Sequence, residues 1–515
     1  MLKKALIFIL VAIMLLSVVA CGKDDGSSGN KGNNGKDTQT EERTLSSKEI
    51  EESKFLETYN PEATAQTYNG EEQANVRFDG YEFKFLNSGD VYFMYVYLDP
   101  DMTGDTLDDA TYMRNFEAEQ KFGITIKEET QQYDQLSSYA KTLILAEEDI
   151  YDVMYIRCDE LTPLIAENLF VDLLQVKELN MDKVWWDQPL IKYNIIEDRL
   201  FYATSDLHLM AFEAVWALYF NEDMMSDLGL TAPYAEALSG KWTFDKYSEF
   251  CKAAANLNGD SSYTFDANGK ATYGTVTTPG IVAPICYAFH ATEATRNAQG
   301  KYEFTAHTDT RYQDAMTKLI GFIGGNDGQT AVVPNTDFGE DGYFTTFMNE
   351  RALFLTAELK GCTILREWEG NFGLLPLPKY DEAQDGYGAY VIDRCLSFCI
   401  PNTNTNLERT GIIIDYLTYK SYESVVPRYY DIHVGLKSLT KQESKDVLAV
   451  IRGSRGGTPA LFYRWTAGYV GALGRIIVDG NNALISTIET YKSACEAAIK
   501  ETYNLYPVLN DAKYD

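Results

Sequence analysis

The chain has 515 residues, enough for two or more lobes with sizeable cores, and its hydrophobic and charged shares of 45% and 23% are those of a globular protein. A net charge of −31 repels nucleic-acid phosphates and anionic headgroups, which excludes DNA and RNA as partners and otherwise serves solubility. Eight cysteines at no regular spacing do not make the pattern of a small disulfide scaffold.

The first element is a leader. Lys3 and Lys4 precede an uninterrupted apolar run over 5–16. That run is too short to cross a bilayer, which takes about 20 residues, and suits the h-region of a signal peptide. Val18, Val19, Ala20 and Cys21 follow directly and resemble the lipobox of bacterial lipoproteins. The resemblance implies a signal peptide over 1–20, a lipid on the Cys21 sulfur and cleavage before it. The protein is then expected on the outer face of the cytoplasmic membrane, extracellular and lipid-anchored as in Gram-positive cells. Two or three acyl chains anchor stably, where one holds only marginally. The stretch over 22–44 is rich in Gly, Ser, Asn, Lys and Asp and lacks large apolar residues. It reads as a flexible tether, extending to residue 76, whose coil spans roughly 40 Å.

Alternating strands and helices come next. Strands are predicted at 81–86, 124–129 and 151–156, with helices near 112–123 and 133–147 between them. This order indicates an α/β layer with a parallel sheet. Apolar runs at 200–204 and 214–221 read as strands. Thr243 opens a helix, Asn268-Gly269 signals a hairpin turn, and ALFLTAEL and FGLLPLPKY flank a helix-like segment. The segment NLERTGIIIDYLTYK and the tail from Ala460 are helical. AYVIDRCLSFCIP reads as one strand, on which Cys395 and Cys399 stand roughly 13 Å apart, too far for a disulfide. Buried free thiols are expected. The 36 tyrosines, 25 phenylalanines and 6 tryptophans suit either core packing or stacking on sugars.

The order of landmarks resembles type 1 extracellular solute-binding proteins of ABC importers, including maltodextrin-binding proteins. YDVMYIRCDELTPLIAENLFVDL is similar to the family's strand, loop and helix ending in Asp-Leu. LFYATSDLHLMAFEAVWALYFNEDMMSDLGLTAPY resembles its hinge crossing and KWTFDKYSEFCKAA its Trp-Thr helix. FTTFMNERALFLTAELKG and NFGLLPLPKYDEAQDGYGAYV resemble its later core and return hinge, and VWWDQPLIKYNI resembles a subgroup of Gram-positive gut anaerobes. The resemblance implies an α/β, two-lobed periplasmic-binding-protein-like fold of type II, each lobe a sheet flanked by helices. Lobe 1 would take 77–207 plus 382–433 and lobe 2 would take 213–373 plus 438–515. The chain would cross near 207–213, return near 373–381 and cross again near 433–438. A carbohydrate, in particular an oligosaccharide, would bind between the lobes for delivery to an ABC permease pair, by a monomer needing no cofactor.

Sugar sites use aromatic faces against the ring and planar polar side chains for the hydroxyls. The candidates are Asn87, Asp90, Arg157, Asp159 and Asp206 on lobe 1, and Trp216, Glu358 and Trp465 on lobe 2. Tyr387 and Tyr390 follow the return hinge. Trp465 corresponds to an aromatic stacker that maltodextrin-binding proteins carry before their last helices, although a Trp there also serves packing. Trp185 and Trp186 read as core anchors. The loop over 256–267 has Asn256, Asn258 and Asp260 at calcium-loop spacing, but Ser261 and Ala267 replace the required Gly and Glu, so a plain loop without metal is expected. His208, His290, His307 and His433 lack ligand spacing. No nucleophile, zinc or phosphate-loop motif occurs. A surface glycoside hydrolase, which needs only two carboxylates, and an adhesive lipoprotein remain as alternatives.

Overall fold

In the computed structural model, residues 76–89, 97–333, 342–430, 439 and 441–509 are described. Cys21, the signal peptide, most of the tether, Asp90 and the crossing expected at 433–438 lie outside them. The strands are β1 Glu82–Ser88, β2 Thr125–Gln131, β3 Val153–Arg157, β4 Trp216–Asn221, β5 Tyr273–Thr277, β6 Ala294–Arg296 and β7 Tyr302–Phe304. They continue as β8 Thr330–Val332, β9 Ala352–Glu358, β10 Phe372–Leu375, β11 Ala389–Tyr390, β12 Leu396–Cys399 and β13 Arg455–Gly456.

Lobe 1 is built on a sheet of order β12-β3-β1-β2. β1, β2 and β3 run parallel, and β12 closes one edge antiparallel. Phe83 and Phe85 alternate along β1 onto the core face, where each is at most 1% exposed. Burying such a ring contributes about 1.5–3 kcal/mol. The helix Thr106–Phe122 connects β1 to β2. It starts where Asp105 accepts the Leu107 N–H and stops at Gly123, whose φ of 68° is left-handed.

Lobe 2 is built on a sheet of order β10-β4-β9-β5-β8. Every residue of β9 (ALFLTAE) is buried, as expected of a strand covered on both faces. The helix Phe244–Ala254 packs on β5 and β9, and Thr310–Gly324 lies beside β8. β5, β8 and β9 are parallel while β4 is antiparallel to both its neighbours. The C-terminal ends of β5, β9 and β10 therefore share one edge with Trp216, the first residue of β4.

That edge meets the crossings. The first descends through 205–214, and Val215 bridges Val391. The return crossing falls at 389–395, later than the expected 373–381. Lys379 holds the intervening segment on lobe 2: its carbonyl accepts the Phe244 N–H at 2.7 Å and its N–H donates to Trp242 O. Gln384 adds a 2.8 Å bond to Ala288 O. β13 then lies parallel beside β11, with Ala389 opposite Arg455. The helix Pro459–Phe462, expected in lobe 2, packs on the lobe 1 helix Cys158–Ala166, and Thr162 donates to Phe462 O at 3.2 Å.

Three local expectations change. The 389–399 run is two strands separated by a turn in which Cys395 N–H donates to Ile392 O. All cysteines among the described residues are nevertheless buried and free. The 200–204 run makes only an isolated bridge, Ala203 to Phe398. Asn268-Gly269 sits in a tight turn that no strand pair flanks, because Asp260 draws in the Lys270 and Ala271 N–H groups at 2.6 and 2.8 Å. Asp260 is thereby occupied by backbone.

Candidate ligand cleft

Ligands of open α/β sheets lie beyond the strand ends, and here two such edges meet at the crossings. On lobe 1 the end of β1 supplies Asn87 and Ser88. Asn87 is fully buried and engaged: its Nδ2 donates to Glu128 at 2.6 Å, and its Oδ1 accepts the Ser88 N–H at 2.8 Å. Glu128 in turn accepts the Leu98 and Asp99 N–H groups, so it holds that backbone against β2. His208 Nδ1 accepts the Met210 N–H at 3.3 Å, which places the ring proton on Nε2, 3.3 Å from Asn87 Oδ1. Burial and the charge of Arg114 push the His208 pKa down to about 3.

On the crossings, rings and charges alternate. Arg455 lies over the Phe212 ring at 4.2 Å and Arg452 over the Tyr430 ring at 3.3 Å. The Phe212 and Tyr430 rings meet edge to face at 5.5 Å. The charges of Arg452, Arg455 and Asp206 all act on Tyr430. Lys360 N–H donates to Glu213 O at 3.1 Å, and Glu358 stands opposite Trp216 across the β4–β9 pair. Asp206, Glu213, Glu358, Lys360, Arg452 and Arg455 are all buried. Three sequence candidates, Asp206, Trp216 and Glu358, thus belong to one connected region.

Three buried polar atoms stand at the strand ends. Ser88 Oγ on lobe 1, and Trp216 Nε1 and Thr277 Oγ1 on lobe 2, have no hydrogen-bond partner among the described residues. The Trp216 ring lies beside Gly280, 3.8 Å from where a side chain there would begin. Buried donors and acceptors of this kind are costly unless something completes them.

The other candidates serve packing. Arg157 forks onto Asp159 at 3.0 and 2.7 Å, reaches Asp134 at 3.1 Å and covers the Tyr133 ring at 4.7 Å. These two side chains satisfy each other on lobe 1. Tyr387 donates to Ala237 O at 2.9 Å within lobe 2, and Tyr390, on the crossing strand β11, packs 6.0 Å from Tyr287. Trp465 is 1% exposed, its indole stacked on Tyr463 at 5.1 Å and donating to Thr502 Oγ1 at 2.9 Å. Its ring also meets Tyr302 of β7 at 5.1 Å and Tyr503 of the helix Leu484–Leu505 at 6.5 Å. Trp185 and Trp186 are core residues bonded to Asp415 and Leu179.

Phe212, Tyr430, Arg452 and Arg455 escaped the reading of the sequence. The signal was RGSRGG at 452–457, two arginines three residues apart among glycines, Arg452 at the end of the helix Gln442–Gly453 and Arg455 on β13. A groove of about 350 Å³ between the helices Tyr469–Val478 and Leu484–Leu505 also exists. Its lining contains none of the strand-end residues and offers Tyr491 as its one aromatic wall.

No family model matches the sequence, and no curated protein matches it. Solved structures do. A cyclic alpha-maltosyl-1,6-maltose binding protein from Arthrobacter globiformis superposes with a TM-score of 0.56 at 11% identity, over 82% of this chain and 100% of its own. An ABC substrate-binding protein from Listeria monocytogenes in complex with cycloalternan gives 0.52 at 12%, over 83% and 100%. UgpB from Mycobacterium tuberculosis in complex with glycerophosphocholine gives 0.54 at 11%, over 82% and 99%. The chain therefore has the two-lobed, type II periplasmic-binding-protein-like fold that the landmark order implied.

Proposed function

We propose that this chain is a cell-surface solute-binding lipoprotein, not an enzyme, that captures a carbohydrate between its lobes and delivers it to an ABC importer. The observation that carries the reading is the set of buried polar atoms at the strand ends that have no partner among the described residues, Ser88 Oγ on lobe 1 and Trp216 Nε1 and Thr277 Oγ1 on lobe 2. Sugar hydroxyls are small, neutral and able both to donate and to accept, which suits a hydroxyl, an indole N–H and a second hydroxyl together. Phe212 and Tyr430 lie on the same crossings, but both rings are buried and covered by Arg455 and Arg452, so they support the crossings from within. Two of the solved neighbours bind oligosaccharides, which supports a sugar, while a third binds glycerophosphocholine.

Cys21 would carry the lipid, and the tether would keep the receptor near its permease at high effective concentration. A thermal-shift screen of soluble residues 45–515 tests the ligand class, because a ligand stabilises the native state by mass action. An oligosaccharide is expected to raise the melting temperature and to be recovered intact. Stabilisation by peptides, polyamines or metal complexes with no carbohydrate effect would replace the sugar assignment. Release of a shortened sugar would make the protein a hydrolase. For the anchor, Cys21→Ala in the full chain is expected to move the protein out of the membrane fraction.

A further inference from the structure

Lobe 2 holds a small cavity of about 10 Å³ between the helices Val282–Ala288 and Tyr469–Val478, lined also by Thr292, Glu293, Thr458 and Leu461. Its walls are mostly apolar, yet two of its lining residues carry a buried oxygen with no partner among the described residues, Glu293 Oε1 and Thr458 Oγ1. Glu293 is 4% exposed and Thr458 is 3% exposed. Thr292 lines the same space, and its hydroxyl proton goes to Ala294 O at 3.2 Å, which leaves its oxygen free to accept. A cavity of roughly 10–15 Å³ holds one water, and a buried water needs two to four polar partners.

We propose that this cavity is a binding site for one ordered water, held by Glu293 and Thr458 with Thr292 as the third partner. A cation fits less well. The titratable groups whose interaction with Glu293 is felt are Cys286, Tyr312, Tyr390, Tyr469 and Cys495, and none is a second carboxylate. A divalent ion takes six or more oxygens and more than one negative charge. Burial raises the Glu293 pKa to about 7, so near neutrality its carboxyl exists in both forms. Water answers either form, because it can accept from the acid and donate to the carboxylate. The site also has a position in the hinge. Thr458 stands directly before the helix Pro459–Phe462, which docks on lobe 1. The water would join the core of lobe 2 to that connecting segment.

The test is Thr458→Val, which keeps the shape and removes the oxygen, together with Glu293→Gln, which keeps an acceptor. A crystal structure of the soluble chain is expected to show one density peak within about 3.2 Å of both Glu293 Oε1 and Thr458 Oγ1. The peak should persist in Glu293→Gln and vanish in Thr458→Val, whose melting temperature should fall. If the cavity is dry, Thr458→Val deletes an unsatisfied oxygen, melts at or above the parent, and the parent shows no peak. A fall in the parent's melting temperature on dialysis against EDTA would make the occupant a cation and overturn the proposal. Should Thr458→Val not fold, the density in the parent decides alone. None of these outcomes depends on which solute the cleft takes.

Discussion

Asp187 of lobe 1 and Arg455 of the crossing strand β13 form an ion pair at 3.3 Å, with side chains only 4% and 6% exposed. Burial raises the Asp187 carboxyl pKa, and the Arg455 charge pulls it back. Removing one partner of such a pair strands the other, at a cost of about 3–5 kcal/mol. Asp187→Ala should therefore lower the urea midpoint sharply, with some further loss because Asp187 also caps the helix Gln188–Asn194. The double variant Asp187→Leu/Arg455→Met should recover much of the loss, since apolar side chains of similar volume leave no charge behind. A single variant that unfolds at the parent midpoint would show that the pair carries no such burden.

His208 makes stability depend on acid. Its pKa is about 3 in the folded chain against 6.5 when free, so between those values the unfolded chain binds more protons. Stability from this group is complete above pH 6.5 and is lost as pH falls, by roughly 2–3 kcal/mol between pH 6.5 and 4.5. Asp415 and Glu293 oppose it. Burial lifts each to about 7, so each favours folding as pH falls through the same range. The contribution of His208 is isolated by difference. His208→Gln keeps a donor toward Asn87 and should flatten the acid limb in urea titrations at several pH values. Curves for parent and variant that stay parallel from pH 6.5 to 4.5 would exclude a neutral buried imidazole.

The architecture was legible because burial leaves a periodic trace. Phe83 and Phe85 alternate on β1, β9 is an unbroken apolar run, and Asp105 and Gly123 punctuate the helix between β1 and β2. The crossings were less legible. What holds residues 376–388 on lobe 2 is a pair of polar residues, Lys379 and Gln384, whose partners Trp242 and Ala288 are remote in sequence. The site itself was partly hidden for the same reason. Arg455 meets Phe212, and Arg452 meets Tyr430, only once the crossings lie side by side. Trp465 misled because a tryptophan ahead of a helix reads alike whether its face meets a sugar or Tyr463.

Trp465 now separates packing from binding. With its ring on Tyr463 and its N–H on Thr502, Trp465→Ala should cost about 3–5 kcal/mol of stability. Trp465→Phe keeps most of the apolar volume and should lower the melting temperature modestly, with ligand affinity in calorimetric titration unchanged. A variant that retains its melting temperature but loses affinity would return Trp465 to the cleft.

Trp216 should behave in the opposite way. Its indole N–H is buried and has no partner among the described residues, at the edge where β4 begins and β5 and β9 end. Trp216→Phe retains a ring beside Gly280 and deletes that donor. In the free protein this removes a group that no described residue satisfies, so the melting temperature should hold or rise slightly. In the complex it removes a hydrogen bond to the solute, worth about 1 kcal/mol, or about fivefold in Kd. Ser88→Ala repeats the experiment from lobe 1, and the two losses should add, because the residues lie on separate sheets and share no partner. Trp216→Phe with parental affinity and a lower melting temperature would mean that the N–H is satisfied within the protein, and the solute would have to be sought nearer Phe212 and Tyr430.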